Sequence, residues 1–153
     1  MSDSLTGGCA CGRIRYKCSE KPLVHLLCHC RDCQRASGSA YAAVVIVPCD
    51  RVSFSGPEPK YHEVKAESGR TMRRGFCSEC GSPLSIRRPE TPHIEFLHAS
   101  SLDDPSLFKP SCELWVSHAF PWHHFHPEAT QFDEGPSEEA VRAPVMAYFA
   151  SRS

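Results

Sequence analysis

Two close-set cysteine pairs far apart in the chain, Cys9-Ala10-Cys11-Gly12 and Cys77-Ser78-Glu79-Cys80-Gly81, constrain this sequence more than any other feature. A disulfide inside a CxC or CxxC strains its own loop, whereas a tetrahedral Zn²⁺ accepts two thiolates from one tight turn and two from another. Cys9, Cys11, Cys77 and Cys80 therefore read as the ligands of one closed, structural zinc. Gly12 and Gly81, which follow the pairs, suit turns that need positive φ and that aim backbone N–H groups at sulfur. Taken alone, Cys77 and Cys80 also fit a redox pair, but no βαβ pattern surrounds them and the matching upstream pair favours metal.

A second group, Cys28-His29-Cys30-Arg31-Asp32-Cys33, has a different character. In extended backbone Cys28 and Cys30 point to one side and His29 to the other, and a turn at Arg31-Asp32 brings Cys33 round to join them. Three thiolates with no obvious fourth partner describe a second zinc with an open position, the arrangement that separates a reactive site from a closed one. An open position can take water, whose pKa falls, or a thiol, which binds as a nucleophilic thiolate. Cys28, Cys30 and Cys33 are thus the candidate ligands of this second ion and the candidate catalytic residues. A redox trio is the alternative reading of the same spacing.

At 153 residues the chain is about one domain, 1–153, with a core over about 5–128 and a tail over about 129–153 that is partly helical. A net charge of -1 gives no overall pull toward nucleic acid or an acidic membrane. The apolar run from Tyr41 to Val47 is far short of the ~20 residues a bilayer span requires, and the polar start Met1-Ser2-Asp3-Ser4 lacks the character of a leader. The expected location is cytoplasmic, where ten cysteines in CxC, CxCxxC and CxxC groups ligate metal rather than form disulfides. The scattered Cys18, Cys49 and Cys112 read as small buried hydrophobes.

Short β patterns dominate the chain. Arg13 to Cys18 alternates, which puts Ile14, Tyr16 and Cys18 on a buried face, and the valine-rich Ala40 to Val47 reads as the most buried strand. Further strands are expected at Pro22–Leu27, Val52–Phe54, Lys60–Val64, Thr71–Phe76, Leu84–Arg88, Ile94–His98 and Glu113–Ser117. A single helical turn is expected at Gln34–Gly38. The tail gives a helix capped by Ser137 and broken or divided at Pro144. Together these describe a mainly β fold with few short helices.

Three stretches resemble the glutathione-dependent formaldehyde-activating enzyme family, which shares its domain with centromere protein V. They are Gly7-Gly8-Cys9-Ala10-Cys11-Gly12-Arg13-Ile14-Arg15-Tyr16, Cys28 to Ser39 with its Cys-His-Cys-Arg-Asp-Cys start, and Phe76-Cys77-Ser78-Glu79-Cys80-Gly81-Ser82-Pro83-Leu84. Ser101-Leu102-Asp103-Asp104-Pro105, Leu114-Trp115-Val116-Ser117 and Trp122 extend the likeness over about Leu5 to Trp122. The resemblance implies an Mss4-like zinc-binding β-sheet fold, a structural zinc at Cys9, Cys11, Cys77 and Cys80, and a more loosely held zinc at Cys28, Cys30 and Cys33. It implies a carbon–sulfur lyase that condenses glutathione with formaldehyde to S-hydroxymethylglutathione, with the incoming thiol filling the open zinc position. The partners are then a small-molecule thiol and an aldehyde, with no nucleic acid and no membrane.

Within that picture Arg35, Arg73, Arg74, Arg87 and Arg88 are conceivable partners for the carboxylates of glutathione. His29, His123, His124 and His126 are candidates for moving protons or completing a metal shell, and the histidine run is not part of the family signature. Trp115 and Trp122 read as core anchors. Two competing functions remain open at this level: a non-catalytic zinc module that binds a partner, marked by a basic stripe, and a redox or methionine-sulfoxide-repair enzyme in which Cys28 or Cys33 attacks directly.

Overall fold

The computed structural model describes residues 4–136 and 138–153. In chain order its strands are β1 (Leu5–Gly8), β2 (Arg15–Cys18), β3 (Val24–Cys28), β4 (Ala42–Pro48), β5 (Val52–Ser55) and β6 (Lys60–Lys65). They continue with β7 (Thr71–Phe76), β8 (Pro83–Arg87), β9 (Ile94–His98), β10 (Cys112–Leu114) and β11 (Thr130–Gln131). Two α-helices, α1 (Arg31–Ser37) and α2 (Glu138–Ala150), and four 3₁₀ turns complete the set, so the architecture is mainly β as expected.

The chain falls into two compact units. The first runs to Pro22 and resumes from Val45 to Phe108. It holds a three-stranded antiparallel sheet in the order β1-β2-β5, and the run β9-β8-β7-β6, also antiparallel. The alternation read from the sequence is realised here: Ile14, Tyr16 and Cys18 are buried, while Lys17 faces solvent. Tyr16 packs its ring 5.7 Å from Phe54. Its hydroxyl meets Ser101 Oγ at 2.6 Å; because Ser101 donates its own hydrogen to the His98 carbonyl, Tyr16 is the donor. Val45, Ile46 and Val47 have no exposed surface, each contributing about 2 kcal/mol of apolar burial.

The second unit comprises Leu23–Val44 and Lys109–Ser153. Here β10 lies parallel to β3 on one side and to β11 on the other, with Leu114 opposite Cys28. The strand expected over Glu113–Ser117 is shorter than that: it ends at Leu114 because Trp115 turns into the left-handed region (φ 56°) and a 3₁₀ turn over Val116–His118 follows. The tail is one continuous helix, α2, rather than a broken pair. Pro144 costs it one backbone hydrogen bond, yet Val145 beside it is buried. The Ser137 cap expected from the sequence lies outside the described residues. Among the described residues no helix is long and apolar enough to cross a membrane.

Candidate metal centres

The first unit brings Cys9, Cys11, Cys77 and Cys80 together, with all four sulfurs within 4.8 Å of one another. Each pair sits in a tight turn. Gly12 N–H reaches the Cys9 carbonyl at 3.0 Å and Gly81 N–H the Cys77 carbonyl at 2.8 Å, with φ of 78° and 76° at the two glycines. That conformation is strained for any residue with a Cβ, which is why glycine closes both motifs. The Ile14 N–H points at Cys9 Sγ (3.3 Å), and Ala10 N–H donates to Ser82 Oγ (3.0 Å), tying one turn to the other.

Cys9 and Cys11 sulfurs are 3.5 Å apart and those of Cys11 and Cys77 3.8 Å, too far for bonding and near enough to share an ion. All ten cysteines are free thiols. The Ser82 hydroxyl, with the N–H groups of Ser82 and Cys11, brings Cys80 down to about 5. At Cys11 the Arg13 N–H pulls the other way, but the thiol of Cys9, burial and the remaining two thiols push it up to about 11. The set sheds its first proton readily and resists losing the last without a cation, as befits ligands gathered for one.

The second unit brings Cys28, Cys30 and Cys33 together within the same 4.8 Å. The turn expected at Arg31-Asp32 is the first turn of α1: Cys30 is its N-cap, and the Cys33 N–H donates to Cys30 Sγ at 3.3 Å. Gly38 ends the helix in the left-handed region. Cys28 is buried at the end of β3, whereas Cys30 and Cys33 are partly exposed. The thiols of Cys28 and Cys33, then the N–H groups of Cys33 and Asp32, hold Cys30 down to about 2, and the same pairing drives Cys28 upward. Among the described residues no fourth histidine, cysteine or carboxylate donor joins the trio.

A family model for the glutathione-dependent formaldehyde-activating enzyme matches residues 4–118, which include both cysteine groups. The chain belongs to the glutathione-dependent formaldehyde-activating enzyme family. Relatives that carry this name provisionally include a Halomonas elongata protein, 31% identical over 103 residues, one from Penicillium rubens, 30% over 125 residues, and one from Colletotrichum graminicola, 28% over 119 residues. The matches cover 65%, 76% and 69% of this chain, and 66%, 64% and 61% of the relatives, so the chain spans about three fifths to two thirds of their length. A solved Rhodobacter sphaeroides protein shares the fold, with a TM-score of 0.51 at 17% identity over 66% of this chain and 92% of that one. The mainly β, Mss4-like fold is thus the family's fold, and its cysteine clusters can hold metal.

Other residues singled out from the sequence go to varied places. His29 is fully buried, and its Nε2 lies 2.8 Å from Glu113 Oε1. His123 Nε2 meets that same oxygen at 2.7 Å, and the backbone N–H of His126 donates to Glu113 Oε2 at 2.7 Å. The His124 side chain is exposed. Arg87 is committed to the buried Glu95 (3.1 Å), Arg73 reaches Glu63 (3.7 Å), and Arg88 lies over Phe96. Arg35 lines an open depression of about 490 Å³ with Arg31, Phe120 and Trp122.

Three expectations need correction. Trp122 is 65% exposed and anchors no core. Trp115 is only half-buried, its ring 5.3 Å from His118. Cys49 is likewise not a buried hydrophobe; its partly exposed thiol faces Glu95 at 3.9 Å, unlike the buried Cys18 and Cys112. Two carboxylates named above only as parts of longer stretches, Glu113 and Asp103, hold buried or paired positions. Glu113 gave one usable signal, an acid flanked by apolar residues within a β pattern. Asp103, whose carboxylate accepts from Arg15 at 2.9 Å and whose N–H donates to the Thr6 carbonyl (2.9 Å), lay in plain view in the Leu-Asp-Asp segment.

Proposed function

We propose that this chain is a zinc-dependent enzyme of the carbon–sulfur lyase class that joins a thiol such as glutathione to formaldehyde or another small aldehyde. The observation that carries the reading is the Cys28/Cys30/Cys33 trio: three converging sulfurs, two of them reachable from solvent, with no fourth protein donor among the described residues. Zinc held by three thiolates keeps a position at which a substrate thiol is acidified and aligned.

The chain's own residues do the rest. Cys28, Cys30 and Cys33 hold the ion, and the N–H groups of Cys33 and Asp32 offset the charge gathered on Cys30. In the reaction a sulfur–carbon bond forms, the carbonyl π bond opens, and the thiol hydrogen ends on the new hydroxyl; no electrons are exchanged. Thiols add to small aldehydes unaided, so holding both reactants at one place supplies most of the acceleration.

The four-cysteine set has the complementary role of a closed structural zinc. A tetrahedron with Zn–S bonds of about 2.3 Å has edges of ~3.8 Å, and the sulfur separations of 3.5 and 3.8 Å suit it. Ten free thiols fit a reducing compartment, and we place the protein in the cytoplasm. The test is exchange between glutathione-bound and free formaldehyde, followed by NMR. The wild-type protein accelerates exchange and Cys30→Ser does not; an unaccelerated wild type, or a fully active Cys30→Ser, overturns the reading.

A further inference from the structure

The two carboxylates buried most completely among the described residues are treated differently. Glu95 and Glu113 both have no exposed side-chain surface. Glu95 is answered by the Arg87 guanidinium at 3.1 and 3.4 Å. Glu113 meets only the two imidazoles and one backbone N–H, and among the described residues no lysine or arginine pairs with it. Buried charges in proteins are paired with an opposite charge or bind a metal. Hydrogen bonds from His29, the His126 N–H and His123 nevertheless overcome burial and keep this carboxyl below its ordinary range.

From this geometry we propose that His29, Glu113 and His123 form a third metal site, for a first-row divalent transition ion, distinct from both cysteine groups and independent of the function proposed above. The three donor atoms lie within 4.8 Å of one another. They come from the loop after β3, from β10 and from the loop before β11, and both Nε2 atoms converge on one carboxylate oxygen. Two imidazoles and one carboxylate are a donor set suited to zinc or to iron(II), with the remaining positions left to water.

The separations are consistent with this. An ion with bonds of about 2.1 Å places neighbouring donors ~3.0–3.4 Å apart, so the present 2.7 and 2.8 Å must widen by about 0.2–0.7 Å. A ring that ligates a metal through Nε2 carries its proton on Nδ1. His29 Nδ1 is buried with no hydrogen-bond partner, so no donor occupies the nitrogen that must take that proton. His123, about 8% exposed, gives the ion its way in.

The probe is Co²⁺, introduced by producing the full chain in cobalt-supplemented medium. Elemental analysis is combined with the d–d bands, which report every cobalt, and with the thiolate-to-cobalt charge-transfer band, which reports only cobalt on sulfur. Glu113→Gln keeps the hydrogen-bond shape and removes the charge; His123→Gln alters a loop residue and serves if the first variant fails to fold. Each should lose one equivalent of cobalt with no change in charge transfer. Cys30→Ser should do the opposite, losing the share of the charge transfer that belongs to cobalt on Cys28, Cys30 and Cys33 and keeping the nitrogen–oxygen cobalt. Wild-type cobalt content in the His123 and Glu113 variants, or a loss that takes charge transfer with it, overturns the proposal.

Discussion

Gly56 and Gly69 both occupy the left-handed region, with φ of 86° and 81°, but only one of them is crowded. A Cβ at Gly69 meets nothing within 4 Å. A Cβ at Gly56 falls well inside contact distance of the Arg13 carbonyl oxygen and 3.1 Å from its carbon, both backbone atoms that cannot swing away. Alanine in this region costs about 1–2 kcal/mol, partly offset by about 0.4–1 kcal/mol from a stiffer unfolded chain. Gly69→Ala should therefore lose about 1 kcal/mol or less. Gly56→Ala adds an overpacking cost of about 1–3 kcal/mol, for a total of about 2–4. With a urea slope of about 2 kcal/mol/M, the two midpoints should differ by ~1 M at equal slope. Arg13 lies two residues beyond Cys11, so Gly56→Ala should also release metal to a chelator faster than Gly69→Ala. Equal midpoints for the two variants would refute the reasoning.

His98 gives a pH test: burial, and then the nearby Arg74 charge, lower it to about 4. The unfolded state takes up its proton first as pH falls from about 6.5, so stability is full above that value and declines toward 4, by about 3 kcal/mol at most. Thermal melts from pH 7 to 4 should show the decline, and His98→Phe should flatten it. Arg87→Met strands the Glu95 carboxylate and should cost about 2 kcal/mol, allowing for the partial exposure of Arg87. The Arg87→Met, Glu95→Gln double variant should recover part of that loss in chemical denaturation; a double variant weaker than the single would count against the pairing. Trp122→Ala should change stability by less than about 0.5 kcal/mol while removing the fluorescence most open to acrylamide quenching.

Both cysteine clusters were legible because their signal is local: close spacing within each group, with a following glycine after Cys11 and Cys80, limits where sulfur can point. Thr71–Phe76 and Ile94–His98 were readable as strands to the residue, since turn residues bound them on both sides. Leu5–Gly8 and Thr130–Gln131 were not, being only four and two residues long, the one paired in a hairpin with Arg15–Cys18 and the other parallel to β10. The Glu113–Ser117 strand was overextended because nothing in Trp115 announces a left-handed backbone. Pro144 misled in the other direction, as packing around Val145 outweighs one lost hydrogen bond. The His29, Glu113 and His123 cluster was invisible because its members, far apart in sequence, meet only through the parallel pairing of β10 with β3 and the loop beyond.

The division of labour between the cysteine groups is tested most directly by zinc content and circular dichroism of Cys30→Ser beside Cys77→Ser. Cys30→Ser should carry one zinc fewer than wild type and keep its fold, whereas Cys77→Ser should lose both its zinc and its cooperative unfolding transition. Two variants that behave alike, or a Cys30→Ser protein with its full metal content, would contradict the account.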